Sequence, residues 1–296
     1  MKNNAFGSSL VGLFLLGGAA LGDIVLDVDF SHLQGRIGNP DGADDGDRIQ
    51  DLSGNNHHGF WGGGGSANDT PIIATPTGTG LNTVATDGHV ILRDSLSVSE
   101  SWFTGTTPTP YFTLDAGTSY TFEAVLNWQG DANTLDGIMG QTGGTEWWIR
   151  ENGGQLEYVF DDGPDRVQRL GSIDISGLIS NSDWHHLAIV LDRNANEIRS
   201  YIDGAVVDTF STGVAALDGI GSGTDDIRLG AYNTTASARF DGLQDQYRIS
   251  NTALTPAEFL NAVPEPSAAV LIAFGALVLM ARRRVGMKPH SRSVLD

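Results

Sequence analysis

The stretch from Trp184 to Phe210 leaves the chain little choice of fold. Trp184 to Leu191 and Ile198 to Ile202 are short apolar runs separated by the polar stretch Asp192 to Glu197. Asp203-Gly204 follows, and then a third run, Ala205 to Phe210. Asp-Gly is a two-residue turn that accepts positive φ at both positions and so matches the twist of paired strands; an antiparallel hairpin is expected here. Runs of similar length, cut by Asn, Asp and Gly, recur at Asp23 to Phe30, His57 to Trp61, His89 to Arg93, Tyr120 to Trp128, Gly137 to Gln141, Glu146 to Glu151, Gln155 to Asp161, Asp226 to Tyr232 and Phe240 to Ile249. In the first of these Ile24, Leu26, Val28 and Phe30 share one face. Residues 62–88 and 97–118 read as long loops, with Pro108 and Pro110 opposing regular structure in the second. The one short soluble helix is expected at Thr255, where Pro256 fits the first turn and Glu258 completes a capping box. No strand–helix–strand alternation appears. The pattern predicts an all-β fold, a two-sheet antiparallel jelly-roll sandwich of about a dozen strands.

Composition closes off several kinds of chemistry. There is no cysteine, so no disulfide framework, thiolate nucleophile or thiolate-bound zinc is possible. Residues 23 to 266 hold 35 Asp and Glu against 11 Arg, an excess of 24 negative charges, with no lysine between Lys2 and Lys288. Such a body repels nucleic acid and anionic lipid, and neither is expected as a partner. The charge would attract divalent cations, or keep a surface protein soluble.

Both ends read as addresses rather than as parts of the fold. Lys2 precedes an apolar stretch from Leu10 to Leu21, and Ala20-Leu21-Gly22 is a small-x-small site. This is the pattern of a secretory signal peptide over residues 1–22, with cleavage between Gly22 and Asp23. At the other end Val263-Pro264-Glu265-Pro266 is followed by fourteen apolar residues, Ala268 to Ala281, and then by Arg282, Arg283 and Arg284. Fourteen residues span roughly 21 Å as a helix, short of the ~30 Å hydrocarbon core, and snorkelling arginines lengthen the effective span. A transmembrane helix over 267–281 and a basic cytoplasmic tail over 282–296 are expected, with everything before Pro264 outside. The order of motif, apolar span and basic cluster resembles the PEP-CTERM sorting signal. That resemblance implies a Gram-negative bacterium, transit through the secretion machinery and the inner membrane, processing by an exosortase, and delivery to the cell surface or extracellular matrix.

Between the two ends, residues 23–262 resemble one laminin-G-like, concanavalin A-type domain. Asp51-Leu52-Ser53-Gly54-Asn55-Asn56-His57-His58-Gly59 is similar to a signature near the start of such domains. Tyr120 to Trp128 is similar to their Phe-Thr-x-Glu-Ala-Trp-Val strand. Trp184-His185-His186-Leu187-Ala188-Ile189-Val190 with Tyr201-Ile202-Asp203-Gly204 looks like their Trp-His-His core. Arg228-Leu229-Gly230 and Phe240 to Ile249 match the last signature, with Gln246 where the family usually has Glu. The resemblance implies a sandwich that binds glycans or other matrix components without catalysis, or a purely structural matrix protein. It also implies, as in many relatives, a structural Ca²⁺ site joining first-strand and last-strand acids.

Candidate site residues follow. Asp27 and Asp29 share a face of the first strand and could give oxygen ligands to such a Ca²⁺ ion. Asp245 is expected on the apolar face of its strand with Leu243, Tyr247 and Ile249, where a carboxylate needs a partner: Arg228, Arg248 or the ion. Trp147, Trp148, Arg150 and Tyr158 lie on adjacent strands and could form a sugar platform; alternatively one Trp faces the core and the other an exposed edge. Some members of this fold class hydrolyse glucans with a Glu-x-Asp-x-x-Glu segment. Glu146 to Glu151 has the outer spacing, but Trp148 replaces the middle Asp and residues five apart on a strand point to opposite faces. The adjacent pairs His57-His58 and His185-His186 cannot chelate one ion for the same reason.

Overall fold

The computed structural model describes residues 23–30, 48–49, 51–55, 57, 59–62, 72–74, 79–82, 89–92, 113–129, 135–179, 183–211, 213–220, 227–232 and 239–260. In chain order the strands are β1 (Ile24–Asp29), β2 (Arg48–Ile49), β3 (Gly59–Gly62), β4 (Ile72–Ala74), β5 (Thr79–Asn82), β6 (His89–Leu92), β7 (Tyr120–Trp128), β8 (Leu135–Gln141), β9 (Glu146–Asn152), β10 (Gln155–Asp161), β11 (Arg166–Asp174), β12 (His185–Asp192), β13 (Glu197–Ile202), β14 (Ala205–Phe210), β15 (Ile227–Leu229) and β16 (Gly242–Ser250). They form two antiparallel sheets. The first runs β14-β13-β12-β7-β16-β5-β4, with β1 also on β16; the second runs β11-β10-β9-β8-β15-β6-β3-β2. The far edge of β16 is shared: Leu243 and Gln244 pair with β5, and Gln246 to Ser250 pair with β1.

Period-two alternation sets the core. From β7 the side chains of Tyr120, Phe122, Ala124, Leu126 and Trp128 enter it, and from β12 those of Leu187, Ile189 and Leu191. Across the interface Phe122 stacks at 5.0 Å on Trp147 and at 5.4 Å on Phe160. Each such fully buried ring contributes about 1.5–3 kcal/mol by leaving water. The hairpin forms as its residues require, with φ of 51° at Asp203 and 77° at Gly204. The expected helix at Thr255 is a single 3₁₀ turn, Pro256–Glu258, and its capping box is present.

Two differences from the sequence reading stand out. Within residues 62–88, expected as loop, β4 and β5 add two short strands to the first sheet. The nine-residue β11 carries no strand signal in the sequence because it is an outer strand: only Val167 and Ile173 are buried in it, so no alternating apolar pattern is written there.

The Asp51 signature fastens β1. Asp51, buried, accepts from the backbone N–H groups of Asp27, Ser53 and His57. Ser53 Oγ donates to Val25 O at 3.1 Å, and Asn55 Nδ2 donates to Ile24 O at 2.8 Å. The segment thus holds polar groups of β1 and fixes the start of the domain. No helix among the described residues is long and apolar enough to cross a membrane. The signal peptide, the sorting motif Val263 to Pro266, the expected membrane helix and Arg282 to Arg284 lie outside the described residues.

Candidate functional site

The tryptophan pair divides between the two sides of its sheet. Trp147 is fully buried and belongs to the core. Tyr158 is also buried there, and its hydroxyl is held far above the ordinary phenol range, chiefly by burial. Neither residue can belong to a sugar platform. Trp148 and Arg150 are on the outer side, where Trp148 is only 6% exposed. Its ring lies 4.3 Å from the Arg150 guanidinium and 5.4 Å from the Tyr232 ring. Arg150 in turn donates to Glu157 at 2.9 Å and to the Tyr232 hydroxyl at 3.1 Å. Glu157 also accepts from Asn152 and from Gly171 N–H. The four residues are therefore not one ligand surface, and the cluster outside is packed and internally bonded. Gly140 lets β8 come close here, since a Cβ on it would meet Trp148 Cβ at 2.7 Å.

The same division separates Glu146 from Glu151. Glu151 shares the inner side of β9 with Trp147 and Ile149 and is fully buried, while half-buried Glu146 holds Arg166. They are not the pair about 5–5.5 Å apart that a retaining glycosidase needs.

Glu123, His186 and Arg248 form a buried fastener on the outer side of the first sheet. Glu123, fully buried, has Oε1 at 3.1 Å from His186 Nε2 and accepts the Leu260 N–H at 2.6 Å. Its Oε2 accepts from Arg248 at 2.6 Å, and Arg248 also donates to Glu258 O. His185 Nδ1 lies 2.8 Å from Asp203. Beside this network Leu254 and Phe259 pack on Ala188, Val190 and Tyr201. The result is a C-terminal strap, residues 251–260, laid over the sheet.

Asp27 and Asp29 alternate with the core residues Leu26 and Val28 and so turn outward. Asp27 accepts from Gln246 Nε2 at 3.1 Å, and its carboxyl is held above the ordinary range by burial, partly offset by that bond and by Arg248. Asp245 is fully buried as expected, but it sits in a bulge between Gln244 and Gln246. The bulge shifts the face, so Leu243 does not join Tyr247 and Ile249 in the core. Arg248, one of the partners expected for Asp245, places its guanidinium on Glu123. Among the described residues no group of three or more His, Asp or Glu side chains is placed to hold a metal ion. Asp27 and Asp29 stand on the outer side of β1, and Asp245 at the bulge of β16.

A different place is open. A cleft of about 650 Å³ lies at one rim of the first sheet, lined by Thr118, Ser119, Asp192, Asn194, Asn251 and Thr252. It forms where the start of β7 meets the ends of β12 and β16. Arg193 builds it. This arginine is 6% exposed and donates to the carbonyls of Thr118 at 2.7 Å, Asp218 at 3.2 Å, Val214 and Leu217. Its N–H donates to Ser119 Oγ. Burial lowers its pKa, while Tyr120, Asp162 and Asp218 act against that. Asp192 is neutralised by Arg199 at 2.7 Å and accepts from Ala195 N–H. Among the described residues the side-chain amides of Asn194 and Asn251 make no hydrogen bond, and each offers two donors and an acceptor to solvent. The cleft is thus polar and locally near neutral in an acidic body, suited to hydroxyl-rich ligands. Its sequence signal is the Asn-rich stretch after Asp192, whose pattern predicts only a turn.

Residues 99–259, more than half of the chain, match the family described as the Concanavalin A-like lectin/glucanases superfamily, in its laminin-G form. No curated protein matches the chain. Among solved structures it is similar to domain 4 of AbnA, an extracellular GH43 arabinanase from Geobacillus stearothermophilus, in complex with arabinotriose. Identity there is 17% and the TM-score 0.52, over 80% of this chain and 97% of that one. The binding domain of Botulinum neurotoxin serotype D is similar at 12% identity and a TM-score of 0.46, over 86% of this chain and 51% of that one. The Ruminococcus gnavus IT-sialidase CBM40, bound to α2,3-sialyllactose, is similar at 13% identity and a TM-score of 0.38, over 47% and 79%. By fold and by sequence, the chain is a laminin-G-like member of the concanavalin A-like lectin/glucanases superfamily.

Proposed function

We propose that this is an exported surface or matrix protein, processed at its C terminus by an exosortase, whose laminin-G-like domain binds neutral glycan at the rim cleft and performs no chemistry on it. The observation that carries the binding reading is the cleft itself, where the Asn194 and Asn251 amides stand free of other side chains and beside Thr118, Ser119 and Thr252. Sugar hydroxyls both donate and accept, and an amide answers both. An anionic polysaccharide would meet the excess charge of the body, so a neutral one is the better ligand. The AbnA domain in its arabinotriose complex gives this fold a sugar-bound parallel. Export rests on the two terminal patterns, and the cysteine-free composition is compatible with it.

An array of neutral glucans, arabinans and galactans, probed with the exported protein, tests the reading. Asn194→Ala and Asn251→Ala should each weaken binding about fivefold, the worth of one hydrogen bond near 1 kcal/mol, with stability changed by no more than about 0.5 kcal/mol. Retention of nothing on the array would favour a purely structural matrix protein. Reducing ends released from any of these polysaccharides would make the domain an enzyme.

A further inference from the structure

The rim that forms the cleft continues past Asn251. Its lining follows the strand order of the first sheet: Asp192 and Asn194 at the end of β12, Ser119 at the start of β7, Asn251 at the end of β16. The next strand across is β1, whose Ile24 is paired with Ser250. Asp23, exposed, stands one position before Ile24, and its carbonyl accepts the Asn251 N–H at 3.1 Å. Asn55 Nδ2 holds the following carbonyl, that of Ile24, at 2.8 Å. Asp23 is thus fixed one strand spacing, roughly 4.8 Å, beyond a cleft residue. Cleavage between Gly22 and Asp23 makes the Asp23 nitrogen an ammonium. Bond lengths keep that nitrogen within about 4 Å of its own carbonyl oxygen, and so within about 7 Å of the Asn251 nitrogen. Residues 23–266 contain no lysine, which makes this the one primary ammonium of the exported body. Among the described residues no cationic side chain lines the cleft, and its Asp192 is already answered by Arg199.

We infer that the N-terminal ammonium of the mature protein is part of the sugar site, and that removal of the signal peptide completes the cleft by placing a cationic donor at its β1 end. This rests on the signal-peptide reading of residues 1–22 and on the neutral-glycan reading of the cleft. An ammonium has three N–H donors and no acceptor, so it takes hydroxyl oxygens of a sugar, while the amides of Asn194 and Asn251 both donate and accept. In the uncleaved chain the same nitrogen is an uncharged amide with one N–H, and the precursor binds the more weakly for it. The charged or titratable side chains on the elements packed at this rim are Asp23, Asp51 and His57, Tyr120 on β7, Arg248 on β16, and Asp192 and Arg193 across the cleft. Burial holds the His57 ring below the ordinary imidazole range and the Tyr120 phenol above its own. Carboxylates and guanidiniums ordinarily titrate far outside pH 7–9, whereas an α-amino group titrates near pH 7.7–8.0. The ammonium is therefore the group at this rim that loses its charge across that window.

The experiment uses the exported protein carrying Lys288→Arg, in which Asp23 holds the only primary amine once residues 1–22 are gone. Intact mass and N-terminal sequencing establish where the chain starts. Arabinotriose, cellotriose and galactotriose are titrated by calorimetry into three forms: unmodified, Nα-acetylated and Nα-dimethylated. Acetylation removes the charge, and dimethylation keeps it with a single donor. The acetylated form should bind about tenfold more weakly, the lower end for a hydrogen bond to a charged group, with its melting temperature unchanged. The dimethylated form should fall between the other two. Binding by the unmodified form should weaken as pH rises from 7 to 9, and binding by the acetylated form should stay level. Equal affinities of the unmodified and acetylated forms, or a level pH profile for the unmodified one, would overturn the inference and leave the cleft reading intact. A start elsewhere than Asp23 would overturn the signal-peptide reading, and no binding of any trisaccharide by any form the cleft reading, each taking the inference with it.

Discussion

Glu123→Ala is expected to lower stability by about 3–5 kcal/mol, the usual loss when one partner of a buried ion pair is removed. In a domain of this size that is on the order of 10 °C in melting temperature. The carboxylate is fully buried and takes Arg248, Leu260 N–H and the His186 ring together. Without it Arg248 keeps its charge in a half-closed place, hydrogen-bonded to the Glu258 carbonyl and with the Asp27 and Glu258 carboxylates acting on it only at longer range. Glu123→Gln keeps the shape and one carbonyl oxygen, and should lose less than half as much. Differential scanning calorimetry reads the difference, and hydrogen exchange should show the strap, residues 251–260, opening first in both variants. Equal exchange in the strap and in the core strands would mean that Glu123 holds the sheet and not the strap.

Arg193→Met should cost about 2–5 kcal/mol, because it leaves several buried or half-buried carbonyls without their donor. The four acceptors come from two separate segments, residues 118 and 214–218, so one side chain ties both to the β12–β13 turn. The side-chain volume is largely kept, and the loss is therefore polar rather than a cavity. Unlike Glu123→Ala, this change should also weaken glycan binding, since the Thr118 carbonyl loses the side-chain donor that positions it, while the backbone N–H to Ser119 Oγ remains. Arg193→Lys retains the charge but has no planar fork for acceptors in several directions, and should recover only part of the stability. Thermal melts with parallel sugar titrations separate the two effects. Full binding in a destabilised Arg193→Met protein would remove the rim cleft from the binding account.

Much of the fold was legible because the sequence writes it locally. Asp203-Gly204 dictates its turn whatever surrounds it, and the alternation in Tyr120 to Trp128 marks a core strand. The capping box at Thr255 needs only three neighbours. What escaped was set by distant contacts. β11 is an outer strand with little to bury, and β4 and β5 are short strands that pair with each other. The bulge at Asp245 lies where the partner of β16 changes from β5 to β1, which no local pattern records. For the site the reading was weaker. Adjacent aromatics suggested a platform, but the strand alternation that sends Trp147 inward also separates it from Trp148. Glu123, His186 and Arg248 were legible as family signatures, yet their role as fasteners depends on a strap far away in sequence. The cleft residues Asn194 and Asn251 stand 57 positions apart and meet only because β12 and β16 flank β7.

The central claim is that the domain takes a neutral glycan at this rim. Amide chemical-shift mapping tests it most directly, using isotope-labelled exported protein titrated with the best neutral oligosaccharide from the array. The account predicts saturable shifts at Thr118, Ser119, Asn194, Ala195, Asn251 and Thr252, with the Trp148, Arg150 and Tyr232 amides still. Shifts centred on Trp148 and Tyr232, or none at saturating sugar, would contradict it.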